Sequence, residues 1–158
     1  MKKQSSTNVC GGLQLNGFWV AGFTDAEGCW SIYMTENKLT GYIQVSFAFY
    51  LSQVDLESLK KIQKLLSLYA LEKDPTVKHC FHLTQGHNVT EMVVHNHRTL
   101  THVIQPFFET YKLQSSKVFD QILFYASLNT YLDLNLSPHE RRLRVSHYVF
   151  YEHTRPTT

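Results

Sequence analysis

The sequence predicts an α/β fold in the order αββαββα, with an antiparallel sheet of two hairpins and helices on one face. Three observations predict it. Residues 43–51 alternate strictly: Ile43, Val45, Phe47, Phe49 and Leu51 face one way, and Gln44, Ser46, Ala48 and Tyr50 the other. That is a strand with one apolar and one polar face. Two pairs of strand-like runs, around residues 29–51 and 77–95, are each followed by a helical pattern. The pattern of the first helix has no second copy, so the chain holds a single such unit.

The elements follow in order. Residues 15–26 read as a short helix that is apolar nearly all round, with Leu15, Phe18, Trp19, Ala21, Gly22, Phe23 and Ala26. Such a helix is expected to be buried, and Gly28 stops it. Residues 29–35 alternate, with Ile32 and Met34 opposite Ser31, Tyr33 and Thr35. A turn over 37–41 joins this run to the next. Asp55 caps a helix reaching about residue 69, with Leu56, Leu59, Ile62, Leu65 and Leu66 as its stripe. Asp74-Pro75 breaks the chain. Residues 77–84 and 90–95 form the second hairpin around Gln85-Gly86-His87. A helix over 99–108 ends near Glu109. Ser115 or Ser116 caps another through residue 127, and Pro138 suits the first turn of a last one.

The 158 residues make one domain over 1–158, with loosely ordered ends at 1–10 and 153–158. A net charge of +2 gives little electrostatic pull on nucleic acid, so any basic face must come from arrangement. Lys60, Lys61 and Lys64, then Lys112 and Lys117, then Arg141, Arg142 and Arg144 cluster locally. Each cluster also reads as a solvated helix face. Three cysteines without paired spacing fit a reducing compartment. No secretory signal and no membrane-spanning stretch is expected. His79, Cys80, His82, His95 and His97 match no ordinary zinc spacing. The tripeptide His95-Asn96-His97 is not the dispersed nuclease motif its letters spell.

Residues 19–29, Trp-Val-Ala-Gly-Phe-Thr-Asp-Ala-Glu-Gly-Cys, carry the chemistry. Gly22 and Ala26 lie four apart on one helix face and let a second helix approach closely. Gly28 ends the helix, so Glu27 projects from its tip. Two such helices side by side would bring two carboxylates together. This stretch resembles the LAGLIDADG signature through Ala21, Gly22, Asp25, Ala26 and Gly28, with Glu27 at the acidic position. The resemblance extends over about 15–125. It includes Ser52-Gln53 with the helix after it, Met92-Val93-Val94-His95-Asn96, and the segment 105–117. Lys112 stands where many members have proline.

The resemblance implies a site-specific double-strand DNA endonuclease of the homing type, leaving short 3′ overhangs. Glu27 would ligate Mg²⁺, with Mn²⁺ or Ca²⁺ able to stand in for it in crystals. Gln53 would orient water, and Lys112 or Lys117 would offset charge on the phosphate. Asp25 is assigned to packing or capping. Phe18, Gly22, Asp25 and Ala26 are expected at a dimer interface. Readers of the DNA major groove are expected at Ser31, Tyr33, Thr35, Asn37, Gln44, Ser46 and Tyr50, then at Lys78, His82 and Glu91. Gln44 leads them, because glutamine pairs with adenine through two hydrogen bonds. A single motif reads a half-site, so the partners expected are double-stranded DNA and a second copy of the chain, at a long near-palindromic site. An intron RNA maturase on the same fold and a non-cleaving DNA-binding protein are the alternatives. The resemblance also points to an organelle-encoded protein of a chloroplast or mitochondrion, or otherwise a cytoplasmic protein of a microbe.

Overall fold

The computed structural model describes residues 16–76 and 80–154. Helix α1 (Gly17–Glu27) leads into strands β1 (Gly28–Glu36) and β2 (Ile43–Gln53), then helix α2 (Leu56–Lys73). Strands β3 (His82–Gln85) and β4 (Thr90–Val94) follow. Helix α3 (His97–Thr99), a π-helical turn (Leu100–Ile104) and helix α4 (Gln105–Thr110) run on without a break. Helices α5 (Lys117–Tyr131) and α6 (Pro138–Thr154) close the chain. The sheet order is β1-β2-β4-β3, antiparallel throughout.

The predicted αββαββα order holds, and the two helices expected after it are α5 and α6. The second hairpin is shorter than expected, because its first strand begins only at His82. Lys78 lies outside the described residues. Helices α2 and α5 each run about a turn past the predicted ends, since Ala70 and Leu128 extend their buried stripes. The π turn was not foreseen. It sits just before Pro106, whose ring cannot fit an ordinary helical turn and which has no N–H to donate.

Packing follows the period-two pattern. Val45, Phe47, Phe49 and Leu51 are buried on the helix side of β2, against Leu59, Ile62 and Leu66 of α2 and Phe107, Phe108, Phe124 and Leu128 of α4 and α5. The Trp30 ring lies 4.8 Å from Phe49 and 5.5 Å from Phe108. Each of these large side chains contributes about 2 kcal/mol through burial.

Helix α1 is only half covered. Val20, Ala21 and Thr24 are buried, whereas Phe18 is 70 % exposed and Gly22 and Ala26 are open. Among the described residues, the expectation of a fully buried helix is therefore met on one side only. Helix α1 starts at its Asn16 cap, whose side chain accepts the Trp19 amide at 2.9 Å. It ends at Gly28, but not through a left-handed turn, since φ there is −83°. Glycine is needed because a Cβ would lie 2.5 Å from the Thr24 methyl and 2.7 Å from its carbonyl oxygen.

Candidate functional site

The site forms where α1 runs into β1. Glu27 is exposed at the last position of the helix, and no hydrogen bond or ion pair to it is found among the described residues. The Lys117 Nζ, from the first turn of α5, donates to the carbonyls of Ala26 at 3.0 Å and Thr24 at 3.3 Å. A cation thus sits on the negative end of the α1 dipole, one residue from Glu27.

Asp25 builds the seat for that lysine. Its carboxylate accepts the Gln114 amide at 2.8 Å, the Ser115 amide at 3.0 Å and the Ser115 hydroxyl at 2.6 Å. The Ser115 Oγ in turn accepts the Lys117 amide at 3.2 Å. Burial pushes the Asp25 carboxyl up, but the Ser115 hydroxyl, the two amides and the Lys117 charge outweigh it and hold the group below its ordinary value. Asp25 therefore caps the start of α5 from across the fold, with both oxygens engaged inside its own chain. Ser115 and Gln114 were not foreseen as part of the site. Their sequence marks Ser115 only as a cap of the following helix, because the partner that brings both to the site lies about 90 positions away.

The two candidate lysines separate. Lys112 is exposed and lines a groove of about 520 Å³ between α4 and α5, beside Gln105, Glu109 and Gln121. Its carbonyl accepts the Gln114 side chain at 3.1 Å. Gln53 ends β2. Gly28 pairs with Leu51, so the register brings Ser52-Gln53 alongside the tip of α1. The Gln53 Oε1 accepts the Val54 amide at 2.7 Å, which leaves its NH₂ as the group able to donate.

The other face of the sheet is polar. Cys29, Ser31, Tyr33 and Thr35 of β1 stand opposite Tyr50, Ala48, Ser46 and Gln44 of β2. Thr35, Gln44 and Tyr33 are exposed, while Ser31, Ser46 and Tyr50 are half-buried. Ser31 Oγ lies 3.3 Å from both the Cys29 thiol and the Tyr50 hydroxyl. The Cys29 thiol does most to raise the Tyr50 hydroxyl above its ordinary pKa, and Tyr33 and burial add to this against Ser31. Cys29 was missed as a member of this face, although its phase with Ser31 and Tyr33 could have shown it. Asn37 is in the turn, where its Oδ1 accepts the Leu39 amide at 2.9 Å and the Thr40 amide at 3.3 Å. His82 is exposed on β3, and Glu91 on β4 accepts the Ser52 hydroxyl at 3.3 Å.

The described histidines do not gather, and His79 lies outside the described residues. His97 packs edge-on against Phe47 and Tyr131, and burial lowers its pKa. Among the described residues, no group of three or more His, Cys, Asp or Glu side chains converges to hold a metal. One chain brings the single carboxylate of Glu27, so a divalent ion fits here only with donors from outside the chain. No described helix is long and apolar enough to cross a membrane.

Residues 20–128 match the family model described as LAGLIDADG endonuclease. The chain belongs to the LAGLIDADG endonuclease family. It is 24 % identical over 115 residues to a probable intron-encoded endonuclease 3 of Neurospora crassa, an alignment taking in 72 % of this chain and 20 % of that one. Its fold is similar to that of the homing endonuclease I-TnaI, with a TM-score of 0.67, 23 % identity and 90 % of both chains covered. It is also similar to that of the LAGLIDADG homing endonuclease I-GzeII in complex with its DNA target, with a TM-score of 0.67 and 19 % identity. That match covers 91 % of this chain and 51 % of I-GzeII. The chain thus spans a fifth of its curated relative and about half of I-GzeII.

Proposed function

We propose that the chain is one half of a homing endonuclease: a homodimer that cuts both strands of DNA at a long near-palindromic site, leaving short 3′ overhangs. The observation that carries this reading is the tip of α1. An unengaged carboxylate, Glu27, ends a helix whose outer face is apolar, with Phe18 beside the small Gly22 and Ala26, and Lys117 is fixed beside it. Gly22 has nothing within 4 Å of where its Cβ would stand. A twin helix laid on this face covers Phe18 and Ala26 and sets two Glu27 carboxylates side by side.

The chain's own residues then divide the work. Glu27 from each copy would hold a Mg²⁺ ion, a cation that favours oxygen ligands. When bound, the ion supplies Lewis-acid stabilisation of the attacking and leaving oxygens. Lys117, rather than Lys112, offers its ammonium to the phosphate, and Gln53 orients water with its NH₂. Thr35, Gln44, Tyr33 and Ser46 face the major groove, with Ser31, Tyr50, Asn37, His82 and Glu91 around them. The fold match to about half of I-GzeII, which is solved on its DNA target, supports one chain per half-site. The intron-encoded relative supports a mobile-intron origin in an organelle or a microbe.

The test is selection of cleaved molecules from a randomised DNA pool with Mg²⁺, followed by Glu27→Gln on the selected site. Cleavage should vanish while binding persists. Cleavage at the wild-type rate by Glu27→Gln would remove the acid from its assigned role.

A further inference from the structure

The reading strands extend past the sheet that supports them. Strand β4 pairs with β2 only over residues 49–53, whereas β1 pairs with β2 out to Glu36 and Ile43. The outer half of the first hairpin is therefore a two-stranded ribbon. Such ribbons are marginal alone and twist more than wider sheets. On the helix side, packing holds the ribbon as far as Val45, and Ile43 is already 38 % exposed. Thr35, Gln44 and the turn at Asn37 lie at or beyond this point.

A contact reaches the tip from the helix layer. The guanidinium of Arg142, on α6, lies over the Tyr42 ring at 5.0 Å from its centroid. The arginine cluster, a solvated face by sequence, is thus divided by the structure. Arg141 Nε donates to the Leu136 carbonyl at 3.0 Å and fixes the α5–α6 turn, while Arg142 reaches the hairpin. Helix α6 is itself anchored in the core through Val145, which is fully buried.

We infer that Arg142 is a positioning residue for DNA reading: by stacking on Tyr42 it braces the tip of the β1–β2 hairpin and fixes Thr35, Asn37 and Gln44 at the outer end of each half-site. The specificity part of this inference rests on the proposed endonuclease function; the brace itself does not. A planar guanidinium suits the task, since it stacks on a ring while keeping its charge hydrated.

Two measurements separate the parts. The first is amide hydrogen exchange of the free full-length protein. The amides of Asn37 and Gly41 bond across the turn, to the Tyr42 and Asn37 carbonyls at 2.8 and 2.7 Å. In Arg142→Ala their exchange should quicken about two- to fivefold, the range an exposed cation–π contact can supply. Tyr42→Phe keeps the ring and should leave them unchanged. The second is base preference, read from sites cleaved out of a randomised DNA pool. Arg142→Ala should relax preference at the outermost base pairs, with central preference unchanged. Unaltered exchange in Arg142→Ala overturns the brace. Faster exchange with unaltered outer preference overturns its role in specificity. Failure of the wild-type protein to cut any DNA counts against the endonuclease reading, while the exchange result still decides the brace.

Discussion

Lys117→Met separates two roles that the same ammonium plays. As a structural group, it bonds the Thr24 and Ala26 carbonyls at 3.3 and 3.0 Å at the end of α1. A cation at a helix C-terminus contributes about 0.3–1 kcal/mol when partly exposed. With the lost hydrogen bonds, the substitution should cost about 1 kcal/mol, a fall in Tm of roughly 2–4 °C for a domain of this size. That leaves the protein folded at assay temperature. As a group aimed at the scissile phosphate, its loss should cost far more, about 10²–10³-fold in rate, or roughly 2.7–4 kcal/mol of transition-state stabilisation. The assays are a thermal melt and single-turnover cleavage with enzyme in excess over the selected DNA site. Lys112→Met should change neither by much, because its side chain stands in the α4–α5 groove. Lys117→Met cleaving within a fewfold of wild type would reduce the lysine to a helix cap. A large loss in Lys112→Met with Lys117→Met active would reverse the choice between them.

Two further outcomes follow from the same site. Asp25→Ala removes the cap on the 114–117 turn and should cost about 1–2 kcal/mol in urea denaturation at pH 7. The Asp25 carboxyl is depressed in the folded chain, so its contribution is complete above the ordinary value of 3.8 and fades as pH falls through the lowered one. The gap between wild type and Asp25→Ala should therefore narrow towards pH 2, and a gap that does not change with pH would contradict the cap. Gly22→Leu should keep wild-type helicity by circular dichroism, since the position is open and leucine favours helix over glycine. In sedimentation it should be monomeric and it should not cut DNA; a dimer as tight as wild type would place the interface elsewhere.

How much of this could be read in advance differs from residue to residue. The β2 alternation from Ile43 to Leu51 is a local property, because burial on one face of a strand is written at every second position. The observed burial of Val45, Phe47, Phe49 and Leu51 repeats it. The stop at Gly28 was also legible, although its reason was not. Glycine stands there for want of room beside Thr24, a fact of close approach that no spacing reveals. The helix ends were displaced by about a turn, because Ala70 and Leu128 are buried by elements distant in sequence.

The sequence by itself determined the order of elements, the polar face of the first hairpin and the position of Glu27 at a helix tip, because these depend on neighbours within a few residues. Tertiary structure alone set Lys117, and not Lys112, against the end of α1, although the two are equal as charges in a polar segment. The choice turns on Asp25, about 90 residues earlier, whose carboxylate holds the Ser115 turn so that Lys117 faces the end of α1. It also revealed that one face of α1 is left uncovered. A helix apolar all round states only that it must be buried; which of its sides are covered is settled by packing, and among the described residues one side is left open.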